Sequence, residues 1–245
     1  MKIKWTSYPY ILWMVIFIVV PLALILLFSL TTGEEQGIAN LKFTLDNFKR
    51  FLDPKYIDIL WISVSLALKS TAITLLLGYP IAMIISREIP RKRNVMILLL
   101  VIPMWMNFLL RTYAWLTLLG KNGFINYIVT KLGFQPLNLI YNDNAVLLGM
   151  VYNFLPFMIL PIYSVLTKID KGLIEAAEDL GANKIEVFLK VIFPLSIPGI
   201  ITGITMVFMP AMSTFVISRL LGGGQYLLIG NLIEQQFLWV GVWHF

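Results

Sequence analysis

Charged residues are scarce in this sequence, and cysteine is absent. Only 13% of the 245 residues are Asp, Glu, Lys or Arg, while 59% are hydrophobic. A soluble domain is typically about 25% charged, so this chain has too few charges to cover its apolar residues with a water-facing shell. The absence of cysteine excludes disulfides and cysteine-ligated metal sites. The composition therefore predicts an integral membrane protein whose solvent is the lipid bilayer.

Groups that carry out catalysis are also rare. The single histidine is His244, the long uncharged runs hold no carboxylate, and the ATP-binding pattern GxxxxGK[S/T] is absent. His-based and paired-acid chemistry are therefore disfavoured, and any ATP hydrolysis must belong to another chain. The sequence predicts that this chain is not an enzyme and uses no cofactor.

The net charge of the chain is +6, and its cations lie in short clusters between apolar runs. This pattern indicates membrane topology and not nucleic-acid binding.

Long apolar runs mark five membrane-spanning helices, which makes the predicted fold class all-α. About 20 apolar residues, rising ~1.5 Å each, cross the ~30 Å hydrocarbon core of a bilayer. The runs predict a single transmembrane domain over residues 1–245. Its spans lie near residues 8–30, 60–86, 94–116, 145–166 and 195–217.

The basic residues of the loops set the predicted orientation. One side carries dense clusters of cations, namely Lys2, Lys4, Arg87, Arg91, Lys92, Arg93, Lys168, Lys171, Lys184 and Lys190. The other side spreads its cations over longer loops. Because cytoplasmic loops carry the excess of Lys and Arg, the N-terminus is predicted to be cytoplasmic.

The loop of residues 31–57 is then external. Its residues Leu45, Phe48 and Leu52 recur at helical spacing. This spacing predicts either a short amphipathic helix on the outer surface or a plain loop.

Two cations, Lys69 and Arg111, fall inside predicted spans. Each lies about 17 residues, or roughly 25 Å of helix, from the cytoplasmic end of its span. Both are therefore expected near the outer interface, where a long side chain can reach water. A role in an outer gate is the alternative for each.

Small side chains recur every fourth residue in two of the spans. The second span carries Ser70, Thr74, Gly78, Ala82 and Ser86, and the fifth carries the pair Gly199 and Gly203. Small residues let helix backbones approach closely in a solvent that offers no hydrophobic driving force. Both rows are therefore predicted to be helix–helix contacts.

The cytoplasmic loop of residues 168–194 holds a local helix–turn–helix pattern. Asp170 is placed to cap a first helix, and Gly181 fits the left-handed position that ends it. Asn183 and Glu186 form a loose capping box for a second helix. The first helix also carries an apolar stripe of Leu173, Ala176, Ala177 and Leu180. A half-apolar helix outside the membrane predicts a protein partner.

This loop resembles the EAA loop of binding-protein-dependent ABC importers, whose pattern is E-A-A-x3-G-x9-I-x-L-P. The matching residues are Glu175, Ala176, Ala177, Gly181 and Pro194, while Val191 and Phe193 replace the family's Ile and Leu. The resemblance implies a coupling helix that docks in a groove of a cytosolic ATPase. In that reading Glu175 makes a polar contact to the ATPase, and Gly181 permits the turn.

Longer stretches resemble the spermidine/putrescine permeases of this class, in residues 75–87, 103–126 and 222–232. The resemblance implies the six-helix type I importer permease (MetI-like) fold in the inner membrane. It also implies a second permease subunit, two ATP-binding subunits and an extracytoplasmic substrate-binding protein. Polyamine is the implied cargo, and iron, sulfate or thiamine are the alternatives within related importers. A secondary transporter is disfavoured, because neither membrane-embedded acids nor an inverted repeat is found.

A polyamine pathway needs acids or aromatic faces, and the predicted spans hold no Asp or Glu. The candidate pathway residues are Trp105, Arg111, Tyr113, Trp115 and Tyr152, the aromatic ones through cation–π contact. The alternatives are that these aromatics are interfacial or packing residues, or that the partner proteins supply recognition.

The family pattern has a sixth span after residues 222–232, and here only residues 235–245 follow Glu234. These are too few to cross a bilayer. The pattern predicts a truncated or frameshifted chain that lacks the last helix and has its C-terminus outside.

Because the chain lacks cysteine, single introduced cysteines test this topology without background labelling. We expect Leu52→Cys to react with a membrane-impermeant maleimide in spheroplasts, and Asp179→Cys to react only after the membrane is opened. Labelling of Asp179→Cys in sealed spheroplasts would place the loop outside and contradict the orientation.

Overall fold

The computed structural model describes residues 8–32, 42–224 and 226–238. The regular secondary structure of these residues is helical, apart from a two-stranded ribbon of β1 (Thr31–Thr32) and β2 (Lys42–Phe43). The all-α prediction is confirmed. Lys2 and Lys4, and residues 239–245 of the tail that the family pattern marks as truncated, lie outside the described residues.

The helices are numbered in chain order, and two of them each contain one π-helical turn. They are α1 (Tyr8–Ser29), α2 (Asp46–Phe51), α3 (Pro54–Arg87), α4 (Pro90–Trp105), α5 (Phe108–Leu119), α6 (Phe124–Lys131), α7 (Asp143–Leu166), α8 (Lys171–Asp179), α9 (Lys184–Ser213), α10 (Val216–Leu221) and α11 (Ile229–Leu238). The π turns are Val15–Val19 in α1 and Phe188–Ile192 in α9.

Four of the described helices are long and apolar enough to cross a membrane, namely α1, α3, α7 and α9. A fifth candidate is the pair formed by α4 and the helical stretch Phe108–Lys131, which are bent by 93°. The structure therefore supplies four or five candidate spans within its described residues.

The bend between α4 and α5 differs from the single helix predicted over residues 94–116. Pro103 removes one backbone donor from the last turn of α4, and Met106 then adopts an extended conformation. Asn107 starts α5 by accepting a hydrogen bond from the Leu109 N–H at 2.8 Å. An apolar run alone does not reveal this break, because both helices are apolar.

The described residues of Met1–Ile59 and Leu232–Phe245 form one compact unit. Within it, Asn47 of α2 donates to the carbonyls of Ser29 and Thr31 at 3.1 and 3.2 Å. This ties α2 to the end of α1. Phe48 within α2 and Leu52 directly after it are exposed. Of the two alternatives for residues 31–57, the structure has the helix.

Residues Leu60–Asn231 form the second unit, and its core is the antiparallel pair α7 and α9. An added Cβ at Gly199 would lie 3.0 Å from the Pro161 carbonyl oxygen, and one at Gly203 would lie 2.7 Å from Met158 Sδ. An added Cβ at Gly78 of α3 would lie 3.0 Å from Met158 Cγ and 3.4 Å from Ile159 Cγ1. The predicted small-residue contacts are confirmed.

The last predicted span, residues 195–217, differs at both ends. The helix α9 begins at Lys184 and ends at Ser213, and α10 follows after an extended Thr214. Asn231 holds this break by donating to the Phe215 carbonyl at 3.0 Å and accepting from Ser218 Oγ at 2.6 Å. A distant residue therefore satisfies the polar groups that the break exposes.

Gly199→Val is expected to lower the free energy of unfolding by about 1–3 kcal/mol, because the new side chain overpacks the α7–α9 contact. The measurement is thermal or denaturant unfolding of the purified chain in detergent. Ile201→Val, at an exposed position of the same helix, is the matched control and should change stability little. Equal stability of both variants would contradict the packing.

Candidate functional site

The loop of residues 168–194 folds as two helices joined by a tight turn, as predicted. Asp170 Oδ1 accepts the Gly172 N–H at 2.9 Å and so caps α8. Gly181 has φ +86°, its N–H donates to the Glu178 carbonyl, and the Ala182 N–H donates to the Ala177 carbonyl. These two bonds form a Schellman motif, which explains why glycine stands at this position.

The second helix begins with a complete capping box. Asn183 Oδ1 accepts the Glu186 N–H, and Glu186 Oε2 accepts the Asn183 N–H, both at 3.0 Å. The Asn183 N–H, together with the Lys190 ammonium, holds the pKa of the Glu186 carboxyl below its ordinary value. The box therefore weakens only as the pH falls through this lowered pKa.

Pro194 lies where the second helix of the loop enters the span. The π turn Phe188–Ile192 comes directly before it, and helix continues on both sides so that α9 runs unbroken from the loop into the membrane. Proline has no N–H for the regular i→i−4 bond, and a wider turn accommodates its ring. A movement of the loop therefore reaches the span through continuous helix.

The two faces of α8 have different surroundings. Leu173, Ala176 and Leu180 point outward, and Leu180 is 89% exposed. Ile174 and Ala177 instead pack on the core of the second unit. The predicted apolar stripe is corrected at Ala177, which belongs to the inner face because the loop folds back on the ends of the spans.

Glu175 lies on the cavity side of α8. The cavity has a volume of about 820 Å³ and separates α8 from the segment that joins α3 to α4. Its cationic walls are formed by Arg87, Arg93, Lys171 and Lys184. Its acidic walls are formed by Glu88, Glu175 and Glu178.

Of the candidate pathway residues, the structure brings Trp115 and Tyr152 together. Their ring centroids are 5.3 Å apart in an edge-to-face arrangement, between α5 and α7. Arg111 lies one helical turn before Trp115 and is only 9% exposed, with its guanidinium carbon 5.9 Å from the Phe108 ring centroid. Lys69, by contrast, has an exposed side chain. The expectation that a cation within a span reaches water is therefore compatible with the exposure of Lys69 and disagrees with the burial of Arg111.

Trp105 and Tyr113 are not part of this aromatic pair. Trp105 is 77% exposed at the end of α4, and Tyr113 lies on the exposed face of α5. The 93° bend separates α4 from α5, so their positions in the sequence do not indicate a shared site.

Sequence reasoning missed Asn153, a buried polar residue in the middle of α7. Its Nδ2 donates to the Gly149 carbonyl at 2.8 Å, while its Oδ1 has no hydrogen-bond partner. A lone asparagine in an apolar run was the available signal. Sequence reasoning also did not group Arg93 with Glu178, because only the fold brings these two residues to one cavity. Within the described ranges no group of three His, Asp or Glu side chains could hold a metal ion.

The sequence matches the family described as "Binding-protein-dependent transport system inner membrane component" over residues 2–241. The chain belongs to this family. It is a multi-pass permease of the inner membrane and a transport protein, not an enzyme. Dependence on a binding protein and an ABC architecture imply a substrate-binding protein and an ATPase as its partners.

Curated relatives cover almost the whole permease. It is 41% identical over 235 residues to the "Spermidine/putrescine transport system permease protein PotB" of Escherichia coli (strain K12), which is 95% of this chain and 86% of that protein. The protein of the same description in Haemophilus influenzae is 39% identical over 95% of this chain and 82% of its own length. The similarity therefore extends over almost all of the chain.

A solved structure shows the same fold at low sequence identity. A chain of a bacterial ABC transporter involved in the import of the polysaccharide alginate superposes with a TM-score of 0.74 at 15% identity. The match covers 98% of this permease and 85% of that chain. It confirms the ABC importer permease fold and says nothing of the cargo.

Gly181→Ala tests the turn, because alanine at this left-handed position costs about 1–2 kcal/mol. No atom lies within 4 Å of the new Cβ, so the strain is confined to the backbone. Gly133, with φ +84° and equal space, ends α6 with the same motif and is the matched control. We expect Gly181→Ala to reduce ATP hydrolysis stimulated by the binding protein several-fold and Gly133→Ala to leave it unchanged. Equal activities would contradict a specific role for Gly181.

Proposed function

We propose that this permease carries spermidine or putrescine across the inner membrane, driven by a separate ATPase. The observation that supports this most is 41% identity over 95% of the chain to a permease described by that transport. Identity at this level over almost the whole chain supports a shared cargo. The cargo is therefore proposed from similarity, and the coupling from the residues of the loop.

The assembly proposed is a heterodimer with a second permease, two ATP-binding subunits and an extracytoplasmic substrate-binding protein. The outward face of Leu173, Ala176 and Leu180 supports docking of α8 on an ATPase, since such a face is costly to leave in water. The density of Lys and Arg on the side of this loop supports a cytoplasmic N-terminus. Together these two features support a loop that faces the cytosol.

The structure of the loop suits a rigid lever. The Schellman motif at Gly181 and the capping box at Asn183 fix the angle between α8 and the start of α9. The helix α9 then continues into the membrane and packs along α7 through Gly199 and Gly203. ATP-driven movement of α8 would thus tilt α7 and α9 together. Among the residues that match the EAA pattern, we assign Glu175 and Gly181 the largest roles in this coupling. The identical positions Ala176, Ala177 and Pro194 would shape the helix that the ATPase holds.

The cargo would contact the aromatic pair Trp115 and Tyr152. A cationic amine over an aromatic ring is stabilised by ~0.5–2 kcal/mol, more when water is excluded. This interaction is weak enough to allow release, which a transport pathway requires. Arg111 is buried one helical turn away, and its positive charge would disfavour stable binding of a polycation at the aromatic pair. We therefore assign Arg111 to gating and not to binding. Trp105 and Tyr113, both exposed, remain candidates only for a surface that a second subunit covers.

The test is uptake of labelled spermidine by the complete transporter in cells that lack this gene. We expect Trp115→Leu to raise the KM for spermidine by about 3- to 30-fold, the factor that corresponds to the cation–π contact. Trp115→Phe should keep most of the affinity. Trp61→Leu, at an exposed position of α3, is the control and should leave uptake unchanged.

Two failures have different meanings here. Normal uptake by Trp115→Leu would contradict the role of the aromatic pair and leave the cargo unaffected. Absence of spermidine and putrescine uptake by the unmodified complex would contradict the cargo itself.

A further inference from the structure

The cavity beneath α8 separates opposite charges that do not pair in this structure. One wall is the junction of α3 and α4, which carries Arg87, Glu88 and Arg93. The facing wall is the inner side of α8, which carries Glu175 and Glu178 together with Lys171. Lys184 contributes one more cation from the start of α9. Among the described residues, the only ion pair that includes one of these side chains joins Glu88 to Lys92, at 3.9 Å, and it does not cross the cavity.

Among the cations that line this cavity, Arg93 has a buried donor atom without an acceptor. Its Nε is buried and has no hydrogen-bond partner. A buried donor without a partner is destabilising, and more so when the group is charged. Arg93 therefore has a free-energy gain available from any acceptor that reaches it.

Among the described residues, Glu178 is one of two unpaired carboxylates on the facing wall, the other being Glu175. Glu178 stands in the last turn of α8, where the helix dipole presents partial negative charge and disfavours a carboxylate. None of the ion pairs between described residues includes it. Glu175 lies one turn earlier, away from this unfavourable end. Glu178 therefore gains most from a cation.

We propose that Arg93 and Glu178 form an ion pair that closes this cavity when the ATPase moves α8. Through this ion pair, movement of α8 is transmitted to α4 by Arg93. This connection is separate from the one that the continuous helix α9 provides. The inference rests on the proposed ATPase coupling and adds a second mechanical connection to it. It makes Arg93 a positioning residue, since it contacts neither cargo nor nucleotide.

The absence of cysteine makes a direct test possible. Arg93→Cys combined with Glu178→Cys is introduced into the complete transporter in membranes, and disulfide formation is quantified by mass spectrometry of the linked peptides. We expect several-fold more disulfide in the complex trapped with ATP and vanadate than in the nucleotide-free complex. Arg91→Cys combined with Glu178→Cys is the control, because Arg91 is exposed on α4 and does not line the cavity.

A charge exchange separates coupling from simple folding. Arg93→Glu alone and Glu178→Arg alone are each expected to lower the ATP hydrolysis that the binding protein stimulates by about tenfold, and the double variant to regain most of it. Arg91→Glu serves as the charge control and should retain activity. Recovery in the double variant cannot arise from two independently misfolded chains.

The outcomes distinguish this inference from the proposed function. Equal disulfide yields in both nucleotide states, or no recovery in the charge exchange, would overturn the ion pair while stimulated ATP hydrolysis still supports the coupling. A complex that binds no ATPase would contradict the proposed function and this inference with it.

Discussion

The hydrocarbon core of the bilayer offers no hydrogen-bond partner, and this constraint shapes the structure at every level. Backbone groups must be satisfied within helices, and helices gain free energy from each other only where small residues let them approach. Gly199 and Gly203 of α9 meet this condition, because α7 approaches each of them so closely that a Cβ would obstruct the contact. The α7–α9 pair is therefore the rigid element around which the other helices of the second unit are placed.

The same constraint decides where a helix can break. A break frees backbone groups, and at three breaks within the described residues an asparagine satisfies some of them. Asn107 caps α5 after the bend, Asn126 bonds the carbonyls of Gly120 and Leu137, and Asn231 bonds Phe215. A transport protein needs bent and interrupted helices near its pathway, and these asparagines make such shapes stable without water.

The loop of residues 168–194 faces a different problem, because the proposed coupling requires it to transmit force from outside the membrane. Its stiffness comes from local hydrogen bonds at Gly181 and at the Asn183–Glu186 capping box, which were predictable from residue type and spacing alone. Its orientation was not predictable in the same way. Ala177 turned inward and Glu175 faces a cavity, because the loop folds back on the ends of α3, α4 and α7.

The sequence by itself determined the membrane as solvent, the positions of the long spans, the small-residue contacts and the turn chemistry of the loop. These depend on composition, on helical period or on groups within a few residues of each other. Only the tertiary structure decided the bend after Trp105, the break at Thr214, the pairing of Trp115 with Tyr152, and the placement of Arg93 and Glu178 on the walls of one cavity. Each of these joins residues distant in the chain, and a uniformly apolar pattern carries no record of which distant residue supplies the missing contact.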